Sequence, residues 1–410
     1  MESCNTKSSL DLPLESLSLQ PFLQSLHKEQ WQEVRLGEVA EIISGGTPKT
    51  SIPEYWNGEI PWLSVADFNN GKKYVIASEK FITQLGLQES STKLLQRDDI
   101  IISARGTVGV IAMIPYPMAF NQSCYGLRIC GNAHSHFIYY CLKVFTKYFI
   151  HQSYGAVFDT ITTKILSDFT FLLPPLTIQQ KIAEILSSFD DKIDLLHRQN
   201  KTLESLALTL FRHYFIDNPK RDEWELGKLG DYVKIIDNRG KTPPFTTDIT
   251  TYPLIEVNAL SDDSMLINYD IVRKYVIKET YQNWFREHIK QYDILFSTVG
   301  SIGEVAMLLD NKGCIAQNVI GFRARDISPF YLYEWLKYMQ QEIKEFDIGS
   351  VQPSIKVTHF VEKQIYKPDS KILESFDKQM LLITDKISHN TKQIQNLQAM
   401  RDMLLKAIFA

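Results

Sequence analysis

Ten charged and amide side chains are the candidate functional residues of this chain, and the function that we predict for them is binding. Lysine and arginine can neutralise phosphate groups, and the asparagine amide can pair with an adenine edge. All ten lie where two halves of the chain differ in sequence, as expected of residues that read different targets. They are Lys49, Asn69, Lys72, Lys73, Arg105, Arg239, Lys241, Asn258, Arg273 and Lys274. Each of them is also compatible with an ordinary solvated surface position.

Motifs for catalysis are weak by comparison. Thr242-Pro243-Pro244-Phe245 lacks the carbonyl-bearing first residue that an amino-methyltransferase motif needs, and a turn is the simpler interpretation. The chain has no GxxxxGK[ST] phosphate loop, and the acidic residues at 369–374 fall on a predicted helix. The five cysteines form no CxxC pair, so we expect reduced, buried thiols. The sequence therefore predicts no catalytic residue, no metal site and no cofactor bound by this chain.

The chain contains an internal repeat with an offset of about 194 residues. The segment QRDDIIISARGTVGVIAM at 96–113 aligns without a gap with KQYDILFSTVGSIGEVAM at 290–307. The same shift relates Trp31 to Trp224. Each copy is much longer than the roughly 20 to 50 residues of a solenoid repeat and can hold its own core. The chain is therefore predicted to be a fused pseudo-dimer of two mixed α/β domains.

Residues shared by the two copies have a structural and a functional interpretation. The paired glycines of the repeated segment could bring backbone close to phosphates, but tight turns also need glycine where φ is positive. The amide pairs Asn121-Gln122 and Gln317-Asn318 could read adenine, yet residues that read different targets should differ between the copies. The shared glycines are Gly106, Gly109, Gly300 and Gly303.

A helix of about forty residues follows each globular part. Alternating steps of four and three from Ile178 and from Ile372 trace a coiled-coil seam with a polar middle in both copies. We predict that this middle forms one central polar layer. Alternatively, Lys192 and Gln199 only extend to solvent. The predicted layer consists of Lys192, Gln199, Lys386, Asn390 and Gln393.

Two such helices are expected to pack on each other, and a pseudo-twofold relation between the copies makes them antiparallel. The two globular domains would then be separated by a rod, which suits duplex DNA with half-sites about 34 Å apart. Segments 69–95 and 261–289 show no relation to each other, so two different half-sites are predicted. The net charge of −4 still allows a local basic face.

The chain resembles the DNA-specificity subunits of type I restriction-modification enzymes. The resemblance covers residue 31 to the C-terminus. It depends on WQEVRLGEVAEIISGGTP, EIPWLSVADF, DIIISARGTVG, the Asn121-Gln122 pair and FLLPPLTIQQKIAEILSSFDDKID. The second copy departs from it, with IDNRGKTP at 236–243 in place of SGGTP and Lys367-Pro368-Asp369 in place of the double proline.

The resemblance implies a fold, a function and partners. Two target recognition domains would be joined by two helical spacers that pair as an antiparallel coiled coil. Each domain would read half of an asymmetric bipartite DNA target, with the gap set by the helices. Two methyltransferase subunits would dock on this frame, and restriction subunits could join them. S-adenosylmethionine and ATP with magnesium would belong to those partners.

The predicted domains are a leader at 1–30, recognition domains at 31–173 and 221–368, and spacers at 174–220 and 369–410. The leader has no visible counterpart in the second copy and is expected to be helical around 17–27. No signal peptide or membrane helix is expected, so a cytoplasmic location is predicted. Two other classes remain open: a stand-alone DNA-modifying methyltransferase or nuclease, and a duplicated coiled-coil scaffold without a DNA role.

Overall fold

The computed structural model describes residues 20–153, 160–237, 241–261, 264–347 and 353–409. It divides into two compact units, one formed by Met1–Leu195 with Ile394–Ala410 and the other by Leu196–Gln393. Both long helices are therefore shared between the units, whereas the sequence had assigned each helix to a separate spacer. No helix in the described ranges is long and apolar enough to cross a membrane.

The first unit is a mixed α/β domain. Its strands are β1 (Gln32–Arg35), β2 (Ala40–Ser44), β3 (Trp56–Leu63), β4 (Lys80–Ile82), β5 (Leu94–Leu95), β6 (Ile100–Ser103), β7 (Ile111–Met113), β8 (Met118–Phe120), β9 (Cys124–Ile129) and β10 (Thr170–Leu173). Its helices are α1 (Gln20–Gln24), α2 (Leu36–Val39), α3 (Val65–Phe68), α4 (Gln84–Gln88), α5 (Ser135–Ser153) and α6 (Thr163–Ser167). The long helix α7 (Leu176–Phe211) begins here.

Two four-stranded sheets organise this unit. One has the antiparallel order β2-β9-β6-β7, and the other has the order β4-β3-β8-β5 with β3 and β8 parallel. The central strand β6 is buried along its whole length and has three consecutive isoleucines, which is why Ile100, Ile101 and Ile102 contact cores on both faces of the sheet. Helix α5 packs its aromatic residues against one of these cores.

The second unit repeats this plan. Its strands are β11 (Glu225–Lys228), β12 (Val233–Ile236), β13 (Leu254–Ile255), β14 (Ile294–Ser297), β15 (Val305–Met307), β16 (Cys314–Ile315), β17 (Val319–Ala324) and β18 (Gln364–Lys367). Its helices are α8 (Lys278–Trp284), α9 (Pro329–Tyr338), α10 (Gln340–Lys344) and α11 (Val357–Phe360), and α12 (Ser370–Phe409) begins here. The antiparallel order β12-β17-β14-β15 and the parallel pair β13-β16 correspond to the first unit's sheets.

One ion pair in each unit explains why an acidic residue recurs in the repeated segment. Asp99 accepts the Arg128 guanidinium at 2.7 Å, and Asp293 accepts Arg323 at 2.7 Å. Each carboxylate also accepts the backbone N–H three residues earlier, from Gln96 or from Lys290. Because both carboxylates are almost fully buried, they need these partners, and the pair fixes the central strand against its neighbour.

The repeat extends into residues 20–30 of the predicted leader, for which no counterpart was expected. Residues 20–31 align with 213–224, so that Phe22 corresponds to Phe215 and Trp31 to Trp224. Helix α1 packs Phe22 on the first unit's core, and a short helical turn, Arg212–Ile216, packs Phe215 in the second unit's core. The predicted leader helix is thus present at Gln20–Gln24, and residues 1–19 lie outside the described part.

Helix pairing is visible inside each unit. In the second unit, Asn390 donates to Asn200 Oδ1 at 2.8 Å, and Gln379 donates to the Tyr214 hydroxyl at 2.7 Å. Partner numbers fall along α12 as they rise along α7, so these helix segments run antiparallel. In the first unit, Arg401 of α12 donates to Asp190 of α7 at 2.6 Å. The predicted antiparallel coiled coil is confirmed at this level.

The predicted polar layer is only partly correct. Asn390 is fully buried, and its amide also approaches Gln199 Oε1 at 3.4 Å, but Lys192, Gln199 and Lys386 are exposed and Gln393 is half-buried. The alternative in which Lys192 and Gln199 extend to solvent therefore agrees with their exposure. The seam passes instead through Ile193, Asn200, Ile387 and Ile394, one residue beyond the predicted positions. Three of these four seam positions are isoleucines, and the fourth, Asn200, makes the polar contact with Asn390.

Replacing both Asn200 and Asn390 by leucine is expected to raise the melting temperature and to weaken the choice of register. A buried amide pair costs stability, while its hydrogen bond rejects slipped pairings. Calorimetry and light scattering after size exclusion would measure the two effects. Asn396→Leu, at an exposed site on α12, is the control. A double variant that melts lower, or that stays strictly monodisperse at all concentrations, would contradict a register role.

Candidate nucleic-acid interface

A cleft of about 850 Å³ opens in the second unit. The segment after β13, the turn between β14 and β15, and the turn between β16 and β17 meet there, and Thr242 and Lys274 join them from two further segments. The lining is largely polar, with hydroxyl, amide and charged side chains able to bind phosphates or base edges. The polar lining residues are Thr242, Glu256, Asn258, Ser261, Lys274, Ser301, Glu304, Gln317 and Asn318.

The wall formed by the β14–β15 turn is held by one serine. Ser297 Oγ accepts the Glu304 N–H at 2.8 Å and donates to the Ser301 carbonyl at 2.5 Å. The chain can turn this tightly because Gly300 and Gly303 have φ of 87° and 77°, a region that favours glycine. The repeated glycines therefore have the structural role that the sequence left open.

The first unit contains the same turn. Ser103 Oγ accepts the Val110 N–H at 2.7 Å, and Gly106 and Gly109 have φ of 74° and 85°. Arg105 extends into solvent from this turn, at the position that Val299 occupies in the second unit. The turn is thus a common frame that presents a cation in one unit and an apolar residue in the other.

Lys274 and Asn258, both predicted from sequence, line the cleft. The Lys274 ammonium donates to Glu256 Oε1 at 2.8 Å and lies 4.9 Å from the centre of the Phe245 ring. This pairing holds the lysine at the mouth of the cleft and reduces its free charge. Sequence reasoning missed Glu256 and Phe245, because no spacing signal links them to Lys274.

The other predicted residues of the second unit are more scattered. Arg273 is exposed, and its guanidinium donates to the Asp270 carbonyl at 2.6 Å. Lys241 is exposed next to Thr242, which lines the cleft. Arg239 lies outside the described residues. Thr242-Pro243-Pro244-Phe245 belongs to an irregular segment at the cleft, in agreement with the turn interpretation.

In the first unit, Lys49 is exposed on a loop that two tryptophans hold in place. Trp62 Nε1 donates to the Gly46 carbonyl at 3.0 Å, and Trp56 Nε1 donates to the Lys49 carbonyl at 3.3 Å. A Cβ on Gly46 would lie 2.4 Å from the Thr92 backbone nitrogen, so the loop needs glycine for this close approach. Thr47 of the same loop donates a hydrogen bond to Gln122.

Asn69 and Lys72 are exposed beyond helix α3, as a contact surface requires. Lys73 is the exception and corrects the prediction for that residue. Its side chain is buried, and its ammonium group donates to Ser187 Oγ of α7 at 2.7 Å. Lys73 therefore faces the helix and not the surface.

The shared amides follow the structural interpretation in part. Asn121 Oδ1 accepts the Ser123 N–H at 3.0 Å, which closes the turn before β9. Gln122 and Gln317 are exposed at equivalent places, and Gln317 lines the cleft of the second unit. The two glutamines can therefore contact a feature common to both half-sites, such as the sugar-phosphate backbone.

Metal and thiol chemistry has little support in the described ranges. They contain no group of three or more His, Cys, Asp or Glu side chains placed to hold a metal ion. Cys124, Cys141 and Cys314 are buried and free, and burial raises the pKa of Cys124 and of Cys314 to about 12. Cys130 is exposed, which corrects the expectation of buried thiols for that residue.

A family model described as the type I restriction modification DNA specificity domain matches the chain twice, at residues 28–205 and 221–398. The chain belongs to this family. The two matches coincide with the two copies of the internal repeat. Both the resemblance and the fold predicted from the sequence are thereby confirmed, and the chain is a DNA-recognition subunit of a type I restriction-modification system.

Individual relatives agree with this assignment. The type I restriction enzyme MjaIX specificity subunit of Methanocaldococcus jannaschii is 28% identical over 408 residues, 93% of each chain. The EcoR124I/EcoR124II specificity subunit of Escherichia coli is 33% identical over 162 residues, covering 38% of this chain and 40% of the relative. Both relatives are named as specificity subunits, in agreement with the prediction of a recognition subunit.

A solved structure extends the likeness to the fold. The S subunit of a type I restriction-modification system from M. genitalium matches with a TM-score of 0.56 at 16% identity. The match covers 93% of this chain and 96% of that subunit. At this level of identity the comparison shows the fold alone.

Proposed function

We propose that this specificity subunit recognises an asymmetric bipartite DNA target, with one half-site read by each unit and the gap set by helices α7 and α12. The observation that carries the proposal is a common frame with different reading surfaces. Both units contain the Asp–Arg pair and the glycine turn. The residues that this frame presents differ, since Arg105 in the turn of the first unit stands where the second unit has Val299.

The exposed side chains that differ between the two units have the chemistry that DNA recognition needs. Lys49, Lys72 and Arg105 in the first unit and Lys241 and Arg273 in the second can neutralise phosphates, which positions the protein. The cleft around Asn258 adds amide and hydroxyl groups that can read base edges. An overall charge of −4 is compatible with this, because only the phosphates that are contacted contribute to affinity.

The partners and cofactors follow from the same proposal. Two methyltransferase subunits would dock on the repeated helical frame, one for each copy, and restriction subunits would join the complete complex. S-adenosylmethionine, ATP and magnesium would be bound by those subunits, and the complex would act on DNA in the cytoplasm. Mass measurement of the assembled methyltransferase would test the stoichiometry, and a saturated single copy would contradict the symmetric arrangement.

Exchange of one recognition domain tests the assignment of half-sites. Replacing residues 31–173 by the equivalent domain of a relative is expected to change one half of the methylated sequence and to leave the other half and the gap unchanged. The matched control replaces residues 224–366 and should change the opposite half. Single-molecule sequencing of DNA methylated by the assembled complex gives the readout. Alteration of both halves by either exchange would refute independent reading.

Two cheaper measurements separate this proposal from the alternatives. A coiled-coil scaffold without a DNA role would give no salt-dependent mobility shift with the assembled complex, whereas phosphate contacts make affinity fall steeply with salt. A stand-alone methyltransferase would bind S-adenosylmethionine as the isolated chain, which calorimetry would detect. We expect a salt-dependent shift and no cofactor binding by this subunit alone.

A further inference from the structure

One residue at an equivalent place in each unit connects the variable segment to the spacer helices. In the first unit, the Met113 N–H donates to the Lys73 carbonyl at 2.7 Å, next to a parallel bridge between Tyr74 and Met113. In the second unit, the Met307 N–H donates to the Met265 carbonyl at 2.8 Å, next to a parallel bridge between Leu266 and Met307. Lys73 and Met265 therefore occupy corresponding positions, although sequence alignment shows no relation there.

The side chain of Lys73 points into the first unit and reaches the spacer helix. It is 7% exposed, and its Nζ donates to Ser187 Oγ at 2.7 Å and lies 3.2 Å from His136 Nδ1. The rings of Tyr74 and Tyr140 lie 5.2 Å and 5.4 Å from the ammonium group. A buried ammonium is stable only with such partners, so this geometry fixes the segment firmly on α5 and α7.

The charges around Lys73 support a cation at this site. Burial lowers the pKa of Lys73, while Asp191, Asp190 and Asp98 act in the opposite direction. Burial and then Lys73 itself lower the pKa of His136, which favours the neutral ring. A neutral His136 can accept from Lys73 at Nδ1 and direct Nε2 towards Asp98 Oδ1, 3.4 Å away.

The corresponding contact in the second unit uses different chemistry. The Met265 N–H donates to Glu204 Oε1 of α7 at 2.7 Å, and its sulfur accepts from Thr384 Oγ1 of α12 at 3.8 Å. The methionine side chain is buried in the core of that unit. The connection between variable segment and spacer helices is thus kept in both units, while the residue that makes it has changed.

We propose that Lys73 and Met265 are positioning residues that fix the reading segment of each recognition domain on the spacer helices, and this proposal rests on the proposed function. Asn69 and Lys72 are exposed and Lys73 is buried, so the anchor positions a surface segment that carries an amide able to read a base edge and a lysine able to bind phosphate. Base recognition tolerates displacements of only about 0.5 Å, so a loosened anchor should weaken discrimination at the half-site that it serves.

The test uses the complete methyltransferase complex with Lys73→Met, the residue found in the second unit. Methylation rates are measured on targets with single base changes in one half-site or the other. We expect discrimination against base changes in the first half-site to fall about tenfold. This fold-change lies within the usual free-energy cost of one mismatched base pair. Discrimination against changes in the second half-site should stay the same. Lys73→Arg, which keeps the donors, should restore most of the loss.

Lys72→Met is the matched control, because it changes the adjacent and exposed lysine in the same way. It should weaken binding to all sequences and lower the salt dependence, with discrimination unaffected. Ser187→Ala removes the acceptor without a large cavity, and should show a smaller loss at the first half-site even where Lys73→Met folds poorly.

Two results would overturn the anchor. The first is unchanged discrimination in both Lys73→Met and Ser187→Ala, and the second is an equal loss of discrimination at both half-sites. Either result would mean that Lys73 is an ordinary core residue. Failure of the unmodified complex to discriminate at either half-site would instead contradict the proposed function. The two failures are therefore distinguishable.

Discussion

Lengthening α7 and α12 together by one heptad is expected to widen the gap in the DNA target by about three base pairs and to leave both half-sites unchanged. A heptad adds about 10 Å of helix at 1.5 Å per residue, and DNA rises about 3.4 Å per base pair. The insertions belong between Lys201 and Thr202 and between Ser388 and His389, which lie on the same side of the Asn200–Asn390 contact because the helices are antiparallel. Methylation mapping of the assembled complex would measure the gap.

The control is the same insertion in α7 alone. α12 then has no residues to pair with the inserted heptad of α7. The contacts of Asn390 with Asn200 and of Gln379 with Tyr214 therefore cannot form at the same time. We expect reduced stability and loss of methylation instead of a clean change in spacing. An unchanged gap in the matched variant would show that the helices do not set the spacing.

The repeated frame could be predicted from sequence because its positions depend on backbone geometry. Gly106 and Gly300 both need positive φ, and Asp99 and Asp293 both pair with an arginine on the neighbouring strand. Few other residues satisfy these requirements, so the two copies can still be aligned at these positions although the rest of their sequences differ. The antiparallel pairing of the helices followed from the same symmetry.

The sequence could not show which residues of each helix form the seam of the coiled coil, for a physical reason. Each helix packs on its partner and on its own globular domain, so its buried stripe is wider than a simple two-helix seam. At Lys192-Ile193 and Gln199-Asn200 the sequence offers two neighbouring positions, and only the three-dimensional contacts select Ile193 and Asn200.

The candidate interface was predictable in composition but not in geometry. Lys274 and Asn258 do line a cleft, yet Glu256 and Phe245, which hold the lysine, are identified only by the fold. Lys72 and Lys73 look alike in sequence. One is exposed and the other is a buried anchor, because only the fold brings Ser187 and His136 next to the Lys73 ammonium group.

The stability of the second unit is expected to fall as pH rises from about 4.5 to about 8, because of Glu334. This residue of α9 is 2% exposed, and burial raises its pKa to about 8, although the Lys337 ammonium lowers this pKa and the Glu204 carboxylate raises it by less. The pKa of Glu334 is higher in the folded protein than in the unfolded chain, where it is 4.5. Its contribution to folding stability is therefore fully present below pH 4.5 and is lost as the pH rises through the folded-state pKa of about 8. The loss is on the order of 3 to 5 kcal/mol.

Glu334→Gln should therefore remove most of this pH dependence and melt well above the unmodified protein at pH 8, because a neutral amide needs no proton to remain buried. At pH 5, where Glu334 is protonated in the folded state, the two proteins should melt at similar temperatures. Glu279→Gln, at an exposed position on α8, is the matched control for the loss of one charge and should leave the pH profile unchanged. Calorimetric melting between pH 5 and pH 8.5 provides the comparison. Parallel profiles for Glu334→Gln and the unmodified protein would mean that Glu334 is ionised in the folded unit and that its burial is relieved by partners.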